Sequence, residues 1–450
     1  MAVALVTHRV IKWAKLAWVA SMKTGTKTVS VYHGPNVEIG DEWCTEAVWA
    51  GSYELGDIDL TEHVFGTGIR CRDGRVVFVS SGTMLDRLWY CRRGERIFVA
   101  NSLPALLACA NLSLLDDYHH YPADIMTLTQ GLNNYKSTIP ATPCDVSILY
   151  YRNLEYDGHT LIKVDKPDTT PDFRGYMDYH DFLIDVAERL GSNLGSPLRQ
   201  HRIVPLSNVS SGYDAGAASA IARRAGCTDT VSIINAASLL PRNDSGAEVA
   251  KHLYMSCKMY GHSPAAYRYE ETIWSAAGQP AGLNLTIFDY PEPLCLFFTG
   301  YRGDTVWDGR ACKVSEPLSA PTISGLGICE FRLFQGLFHC PVPCWGNLRA
   351  EQIQAISTSS EMYPWRLNQS YDRPIPRRIL EQAGVPRHLF GIRKAATSTD
   401  CFFLWPFAST TMTKFNKYLQ TKGIMAPSDS VVSLLRKSAH LATLMYSNTP

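Results

Sequence analysis

The stretch "RIVPLSNVSSGYDAGAASAIARRAG", residues 202–226, decides the fold of the C-terminal half. An apolar run, a turn of small residues and an alanine-rich segment predict a strand, a tight loop and a helix in succession. Such a loop directs backbone N–H groups and the positive end of the helix dipole at one point, where an anion such as phosphate binds. The alternative interpretation is that Ser210, Ser211 and Gly212 only cap the helix of an ordinary α/β unit.

The composition is typical of a folded globular chain. The protein has 450 residues, of which 46% are hydrophobic and 19% charged, enough for two domains with separate cores. The formal net charge of +1 gives no electrostatic bias toward nucleic acid. Thirteen cysteines without a paired metal spacing predict reduced, buried thiols and a cytoplasmic location.

The opening segment "MAVALVTHRVIKWAKLAWVASMK", residues 1–23, is apolar but is interrupted by Arg9, Lys12 and Lys15. These cations leave no run of about 20 apolar residues, so we expect no integral membrane segment. The segment also lacks the features of a secretory signal. We predict a helix docked on the surface of the protein itself, with a helix at a membrane interface as the alternative.

The chain divides into two parts with different patterns. Up to about residue 165, short alternating runs such as "RVVFVSSG" and "RLWYCRRGERIFVANS" predict antiparallel hairpins. The Pro- and Asp-rich segment 164–175 is the candidate linker. Beyond it, helical patterns alternate with apolar strands, which indicates a parallel sheet with helices on both faces. We therefore predict an α/β protein with domains at 1–165 and 166–450.

Two acidic residues follow candidate strands of the parallel sheet. Asp214 lies in the small-residue turn, and Asp304 comes shortly after the apolar run "CLFFTG". Functional loops collect at the carboxyl ends of parallel strands, so the two carboxylates could hold Mg²⁺ between them. The alternative is that each aspartate is a plain turn or helix-cap residue.

Four motifs of the C-terminal part, in order, resemble those of the asparagine synthetase and β-lactam synthetase family. The Ser-Ser-Gly-Tyr-Asp turn is similar to the pyrophosphate loop of these ATP-pyrophosphatase enzymes, and "TGYRGD", residues 299–304, resembles their second loop. "GLGICEFRL" places Glu330 at the position of a glutamate that pairs with the tyrosine, here Tyr301. "RRILEQAGVPRHLFGIRKAATST" resembles the helix and loop that carry the catalytic lysine, here Lys394.

The resemblance continues into the N-terminal part, where "DRLWYCRRGERIFVANSLPALLA" is similar to the glutaminase-like domain of these enzymes. It implies an N-terminal antiparallel sandwich of the Ntn-hydrolase type, as a degenerate glutamine amidotransferase-like domain. It also implies a C-terminal ATP-pyrophosphatase synthetase domain of the adenine nucleotide α-hydrolase type.

The resemblance also implies a set of site residues with ATP and Mg²⁺ as cofactors. Backbone and hydroxyl groups would cradle the pyrophosphate, two aspartates would bind the metal, a tyrosine and glutamate would deprotonate the amine, and a lysine would stabilise the oxyanion. Ser210, Ser211, Gly212 and Asp214 would bind the pyrophosphate of ATP, and Asp214 and Asp304 would bind the metal. Tyr301 and Glu330 would deprotonate the amine, and Lys394 would stabilise the oxyanion.

Three positions depart from the family pattern. A glutaminase of this kind uses an N-terminal cysteine whose α-amine acts as its base, but residue 2 is Ala2 and the first cysteine is Cys44. We therefore expect no use of glutamine. In the phosphate loop Ser211 replaces a glycine and Ala215 replaces a serine, which removes one hydroxyl donor to pyrophosphate.

The expected function is ATP-dependent amide-bond formation through an acyl-adenylate, with an amine or free ammonia as the nitrogen donor. Ring closure within one molecule and amidation of a separate sugar acid or peptide both remain open. The expected partners are a small-molecule or peptide carboxylate and, as one possible assembly, a second copy in a homodimer, without nucleic acid. The alternatives are a catalytically degenerate binding or assembly protein and, more weakly, nucleotide transfer or thiolation.

Overall fold

A computed structural model of the protein describes residues 3–234, 245–261, 269–278, 282–308, 325–369, 371–391 and 408–425. The N-terminal part is built mainly of strands. They are β1 (Ala4–Arg9), β2 (Trp18–Lys23), β3 (Thr28–His33), β4 (Glu38–Ile39), β5 (Trp43–Trp49), β6 (Val64–Arg72), β7 (Arg75–Val79), β8 (Leu88–Arg93), β9 (Arg96–Ala100), β10 (Ser113–Leu114), β11 (Thr138–Ile139), β12 (Ala141–Thr142), β13 (Val146–Leu149), β14 (Asn153–Tyr156) and β15 (Leu161–Val164).

These strands form two large sheets that pack face to face. One sheet has the order β1-β3-β2-β9-β8-β13-β11, the other has the order β15-β14-β7-β6-β5-β4, and β10 pairs with β12 apart from them. Every pairing is antiparallel except that of β1 with β3. Trp18 and Val31 of the first sheet share a buried cluster with Ile69 and Phe78 of the second, so the core lies between the sheets. The predicted hairpins are confirmed.

The prediction of a helix over the opening segment is wrong. This segment forms β1, which pairs in parallel with β3, and β2, which lies between β3 and β9 in the interior of the sheet. Val19 and Ala20 are fully buried there. The cations Lys12 and Lys15, which interrupt the apolar run of the sequence, lie in the connection between the two strands.

The C-terminal part contains one parallel sheet with the order β18-β17-β16-β19-β20. Its strands are β16 (Ile203–Asn208), β17 (Asp229–Ile233), β18 (Ser256–Tyr260), β19 (Leu294–Thr299) and β20 (Leu337–Pro341). The chain runs outward from β16 through β17 to β18 and then crosses to β19 on the other side of β16. The strand order therefore reverses between β16 and β19, and ligands of open α/β sheets bind at such a point.

Helices cover both faces of this sheet, as predicted. Leu296 and Phe298 of β19 pack in one buried cluster with helical residues such as Ile221 and Leu380, whereas Phe297 packs in another with Phe331. In both parts together, the α-helices of the described residues are α1 (Leu103–Ala110), α2 (Tyr121–Met126), α3 (Tyr176–Leu194), α4 (Tyr213–Ala222), α5 (Ala247–His252), α6 (Glu270–Trp274), α7 (Gly303–Val306), α8 (Cys329–Gln335), α9 (Ala350–Thr358), α10 (Pro374–Gln382) and α11 (Ser409–Thr421). The first two belong to the N-terminal part.

The segment between the two parts, residues 165–175, contains no helix or strand. It is nevertheless held in place, because Lys166 donates to the carbonyl of Ser80 at 2.7 Å and is buried. In the described part of the chain, no helix is long and apolar enough to cross a bilayer. The cysteines that the structure describes carry free thiols, most of them buried.

Candidate functional site

The predicted phosphate loop lies at the carboxyl end of β16. The strand ends at Asn208, the helix α4 begins at Tyr213, and Gly212 between them has the extended backbone of a helix N-cap, with φ −77° and ψ 178°. The Ser210 hydroxyl accepts a hydrogen bond from the N–H of Gly212 at 3.2 Å. Strand, turn and helix thus have the arrangement that the sequence predicted.

The loop after β19 lies directly against the phosphate loop. A Cβ atom at Gly300 would be 2.5 Å from the backbone nitrogen of Ala215, and a Cβ atom at Gly303 would be 2.6 Å from Oδ1 of Asp214. Real Cβ atoms do not approach other atoms this closely, so both positions need glycine. Asp304, next to Gly303 in the first turn of α7, is therefore brought close to the phosphate loop.

Two buried arginines meet the same loops, and the sequence analysis missed both. Arg373, at the N-cap of α10, donates through Nη1 to the carbonyl of Gly303, and its Nε lies 3.7 Å from Oδ1 of Asp214. Arg377, one turn further along α10, donates to the hydroxyl of Tyr213. Both arginines are at most 4% exposed. The sequence signal that could have revealed them is the pair of arginines four residues apart in "RPIPR", residues 373–377.

The segment that carries Lys394 begins at the phosphate loop. The N–H of Gly391 donates to the carbonyl of Ser211 at 2.8 Å, and a Cβ atom at Gly391 would overlap the phenol of Tyr213. Gly391 has φ +68°, which favours glycine. Lys394 itself lies outside the described residues.

Tyr301 and Glu330 have different surroundings. Tyr301 follows β19, is half-buried and packs against an apolar cluster that includes Leu326. Glu330, on α8, is buried and turns to the N-terminal part: its Oε1 accepts the N–H of Leu103 and its Oε2 accepts the hydroxyl of Ser102, each at 2.8 Å. Among the described residues, no hydrogen bond joins Glu330 to Tyr301, so their pairing stays a prediction.

The burial of Glu330 changes its acidity. Removal from water raises the pKa of this carboxyl to about 7, although the hydrogen bonds from Ser102 and Leu103 favour its ionised form. The carboxylate also extends the cap of α1, because Ser102 is the N-cap residue and accepts the N–H of Ala105. Glu330 therefore joins α8 to the N-terminus of α1.

A second buried contact joins α8 to the N-terminal part. Arg332 donates twice to Glu46, at 2.7 and 3.0 Å, and also to Asp86, with all three side chains at most 2% exposed. A bidentate pair of this kind fixes geometry as well as charge. The helix that carries Glu330 is thus held by ionic contacts from β5 and from the loop before β8.

The carboxylates at the site suit a magnesium ion bound together with phosphates. In the described part of the chain, no three His, Cys, Asp or Glu side chains come together as a metal site. Mg²⁺ needs only one or two protein carboxylates when substrate phosphates supply further oxygen ligands. Asp214 and Asp304, on touching loops, fit that requirement, and the adjacent arginines fit a phosphate chain.

The first cysteine of the N-terminal part is poorly suited to glutamine hydrolysis. Cys44, the first cysteine, lies inside β5, is fully buried, and burial raises the pKa of its thiol well above the ordinary range. Residue 2 lies outside the described residues. The segment 339–347, "HCPVPCWGN", is largely buried, with Trp345 1% exposed.

Comparison with known proteins adds no relative. No protein-family model matches the chain, and no curated protein matches it in sequence.

Proposed function

We propose that the protein is an ATP-dependent carbon–nitrogen ligase that activates a carboxylate as an acyl-adenylate and transfers the acyl group to an amine or to free ammonia. One observation carries this proposal: the loops after β16 and β19 touch at the point where the strand order reverses, with Gly303 against the carboxylate of Asp214. In this proposal the two parts are a glutaminase-like sandwich of the Ntn-hydrolase type and an ATP-pyrophosphatase domain.

The phosphate loop would bind the polyphosphate of ATP, which is a substrate of the reaction. Ser210, Ser211 and Gly212 would cradle it at the start of α4, where the helix dipole favours an anion. Asp214 and Asp304 would hold Mg²⁺, which neutralises charge on the leaving pyrophosphate. The loss of one hydroxyl at Ala215 removes a hydrogen bond of about 0.5–1.5 kcal/mol.

The buried arginines support this assignment. Arg373 contacts both loops, through Gly303 and Asp214, so a phosphate oxygen placed there would meet a guanidinium as well as the metal. Charge-assisted hydrogen bonds from arginine to phosphate are among the strong ones. Arg377 fixes the phenol of Tyr213, the first residue of α4, and so holds the helix N-terminus in place.

Three residues would act on the acyl and amine groups. Tyr301 would take a proton from the attacking amine while its own hydroxyl proton passes to Glu330, so that the phenol oxygen never carries two protons. Lys394 would stabilise the tetrahedral oxyanion and the departing AMP. The contact between Gly391 and Ser211 supports the place of Lys394, because three residues of extended chain span at most about 11 Å.

The nitrogen would not come from glutamine. The first cysteine of the sequence, Cys44, is fully buried in β5 and has no access to a substrate. The N-terminal part would instead serve as a scaffold for α8, through the contacts of Glu330 and Arg332.

A second candidate function is a binding or assembly protein that keeps the fold without turnover. The observation that favours it is the guanidinium of Arg373 beside Asp214, which supplies a positive charge where the ligase needs a metal ion. Ser211 and Ala215 favour it as well, since both depart from the phosphate loop of the family.

The test is release of AMP and pyrophosphate from Mg-ATP across a panel of carboxylates and amines. We expect a carboxylate-dependent release that is lost in Asp214→Asn and Asp304→Asn, because each removes a metal ligand. Asp172→Asn is the control, since Asp172 is an exposed aspartate of the segment between the two parts and is bound to Arg349. Tight binding of Mg-ATP without any AMP release would favour the binding protein.

A further inference from the structure

A buried histidine lies beside Tyr301 and has a role that the family resemblance does not assign. His339, on β20, is 3% exposed, and its Nε2 lies 2.7 Å from the hydroxyl oxygen of Thr299. Thr299 is the last residue of β19, two positions before Tyr301. The imidazole is therefore fixed to the strand that carries the loop of the candidate site.

The other ring nitrogen of His339, Nδ1, makes no hydrogen bond with the described residues. Within the described part of the chain, Nδ1 is buried and has no hydrogen-bond partner. A buried polar atom without a partner costs about 1–3 kcal/mol, so its retention calls for an explanation in binding or catalysis. Gly325 borders the ring, and even a methyl group there would be 3.8 Å from Cε1.

The phenol of Tyr301 lies beside the imidazole of His339. The two ring centroids lie 6.2 Å apart with an interplanar angle of 56°, within the contact range of aromatic pairs. Tyr301 is half-buried, and its hydroxyl oxygen is enclosed by the protein. Hydrogen bonds of catalytic groups are often long in the free protein and tighten when the substrate binds.

The imidazole is neutral in this environment. Burial, together with the nearby guanidinium of Arg332, lowers the pKa of His339 to about 3. A neutral imidazole has one donor and one acceptor nitrogen. When Nε2–H donates to Thr299, Nδ1 is the acceptor.

We propose that His339 is a positioning residue, which accepts the hydroxyl hydrogen of Tyr301 at Nδ1 and so turns a lone pair of the phenol oxygen toward the amine. The histidine takes no proton in this role, since an imidazolium there would stand buried beside Arg332. The role in amide formation rests on the proposed function, whereas the hydrogen bond itself does not. Glu330, which is bonded to Ser102 and Leu103, would take the hydroxyl proton of Tyr301 only as the amine proton arrives.

The test is the ¹⁵N resonance of the His339 ring in the full chain, labelled at histidine and recorded with and without Mg-ATP. The signal is assigned with His339→Gln, or with Thr299→Val, which perturbs Nε2, if the glutamine variant does not fold. We expect Tyr301→Phe to move the Nδ1 resonance toward that of an unbonded acceptor nitrogen and to leave Nε2 in place. Tyr156→Phe, which removes a buried hydroxyl from β14 in the N-terminal part, should move neither the Nδ1 nor the Nε2 resonance.

An Nδ1 resonance that is unchanged in Tyr301→Phe in both states, or that moves equally in Tyr156→Phe, would overturn the proposal. AMP and amide formation by the wild type alongside that result would leave the ligase intact. Conversely, a shift confined to Tyr301→Phe in a chain that releases no AMP would retain the hydrogen bond and refute the ligase.

Discussion

The carboxylate of Asp214 lies against the backbone of Gly303, so closely that a methyl group on Gly303 would be 2.6 Å from Oδ1. Arg373 contacts both residues, through the carbonyl of Gly303 and the carboxylate of Asp214. The phosphate loop and the second loop are thus one structural unit, although they follow different strands.

We predict that Gly303→Ala displaces Asp214 and weakens binding of Mg-ATP, measured by calorimetry. Overpacking of a tight contact costs about 1–3 kcal/mol, and here it would fall on a proposed metal ligand. Gly261→Ala is the control, because a Cβ atom at Gly261 meets nothing within 4 Å. Equal Mg-ATP affinity in the two alanine variants would show that the contact has no part in binding.

Arg373 should bind phosphate rather than only neutralise Asp214. We expect Arg373→Met to lower the affinity for Mg-ATP by about 10- to 100-fold, in line with about 1.5–3 kcal/mol for a hydrogen bond to a charged group. Arg378→Met is the matched control: Arg378 lies on the same helix but is stacked between Tyr176 and Trp365. Tighter Mg²⁺ binding in Arg373→Met would mean that the arginine acts as a counter-ion that competes with the metal.

Lys394→Met should separate binding from chemistry. Because Lys394 would act where negative charge develops, we expect a loss of about 10²- to 10³-fold in the rate of amide formation with little change in Mg-ATP affinity. Isothermal titration and product analysis on the same preparation measure both. Full turnover in the variant would refute the role carried over from the family.

No glutaminase activity should be present. Incubation with glutamine should release no glutamate above background, because Cys44, the first cysteine, is buried and provides no accessible thiolate. Free ammonia should support any amidation that the chain performs. Enzyme-dependent glutamate release that is abolished by substitution of one cysteine would contradict this prediction.

Local patterns predicted the hairpins and the phosphate loop, because their signals lie within a few residues. The run "RLWYCRRGERIFVANS" alternates in polarity around a turn, and it forms β8 and β9. The opening segment forms strands because β3 pairs with both β1 and β2, and because a remote strand adds to the pairing: Val19 of β2 also pairs with Ala100 of β9. Pairing with a distant strand overrides weak local preference.

Contacts between distant parts of the chain explain what the sequence could not predict at the site. Ser102, which binds Glu330, is 228 residues away in sequence, so no motif could connect them. Arg373 acquires its place only because α10 packs against α4, beside the loop that holds Asp214. The adjacency of the two aspartate-bearing loops, in contrast, followed from the rule that carboxyl ends of parallel strands share an edge.

Glu330 should make the stability of the fold depend on pH. Its pKa in the folded chain is about 7, above the value of about 4.3 for an exposed glutamate, because burial disfavours the charged form. The folded chain therefore binds the additional proton between these values. The stability that this proton provides is fully present below about pH 4.3 and is lost as the pH rises through about 7, with a slope of at most about 1.4 kcal/mol per pH unit.

We expect Glu330→Gln to remove this component of the pH dependence, measured by urea unfolding between pH 4.5 and 8. The amide can still accept the N–H of Leu103 and donate to Ser102, so the variant should fold. Glu351→Gln, which replaces an exposed glutamate on α9, should follow the wild-type curve. Identical curves for Glu330→Gln and the wild type would refute the assignment of a raised pKa.

Ser102→Ala separates the two roles of Glu330. This variant removes one hydrogen bond to the carboxylate, so the pKa of Glu330 should rise further and the pH-dependent window should widen. If Glu330 also polarises Tyr301, Glu330→Gln should lose amide formation by about 10²- to 10⁴-fold while Ser102→Ala keeps most of it. If Glu330 only joins α8 to α1, amide formation should fall by a similar, small factor in both variants, and the partner of Tyr301 must be another residue.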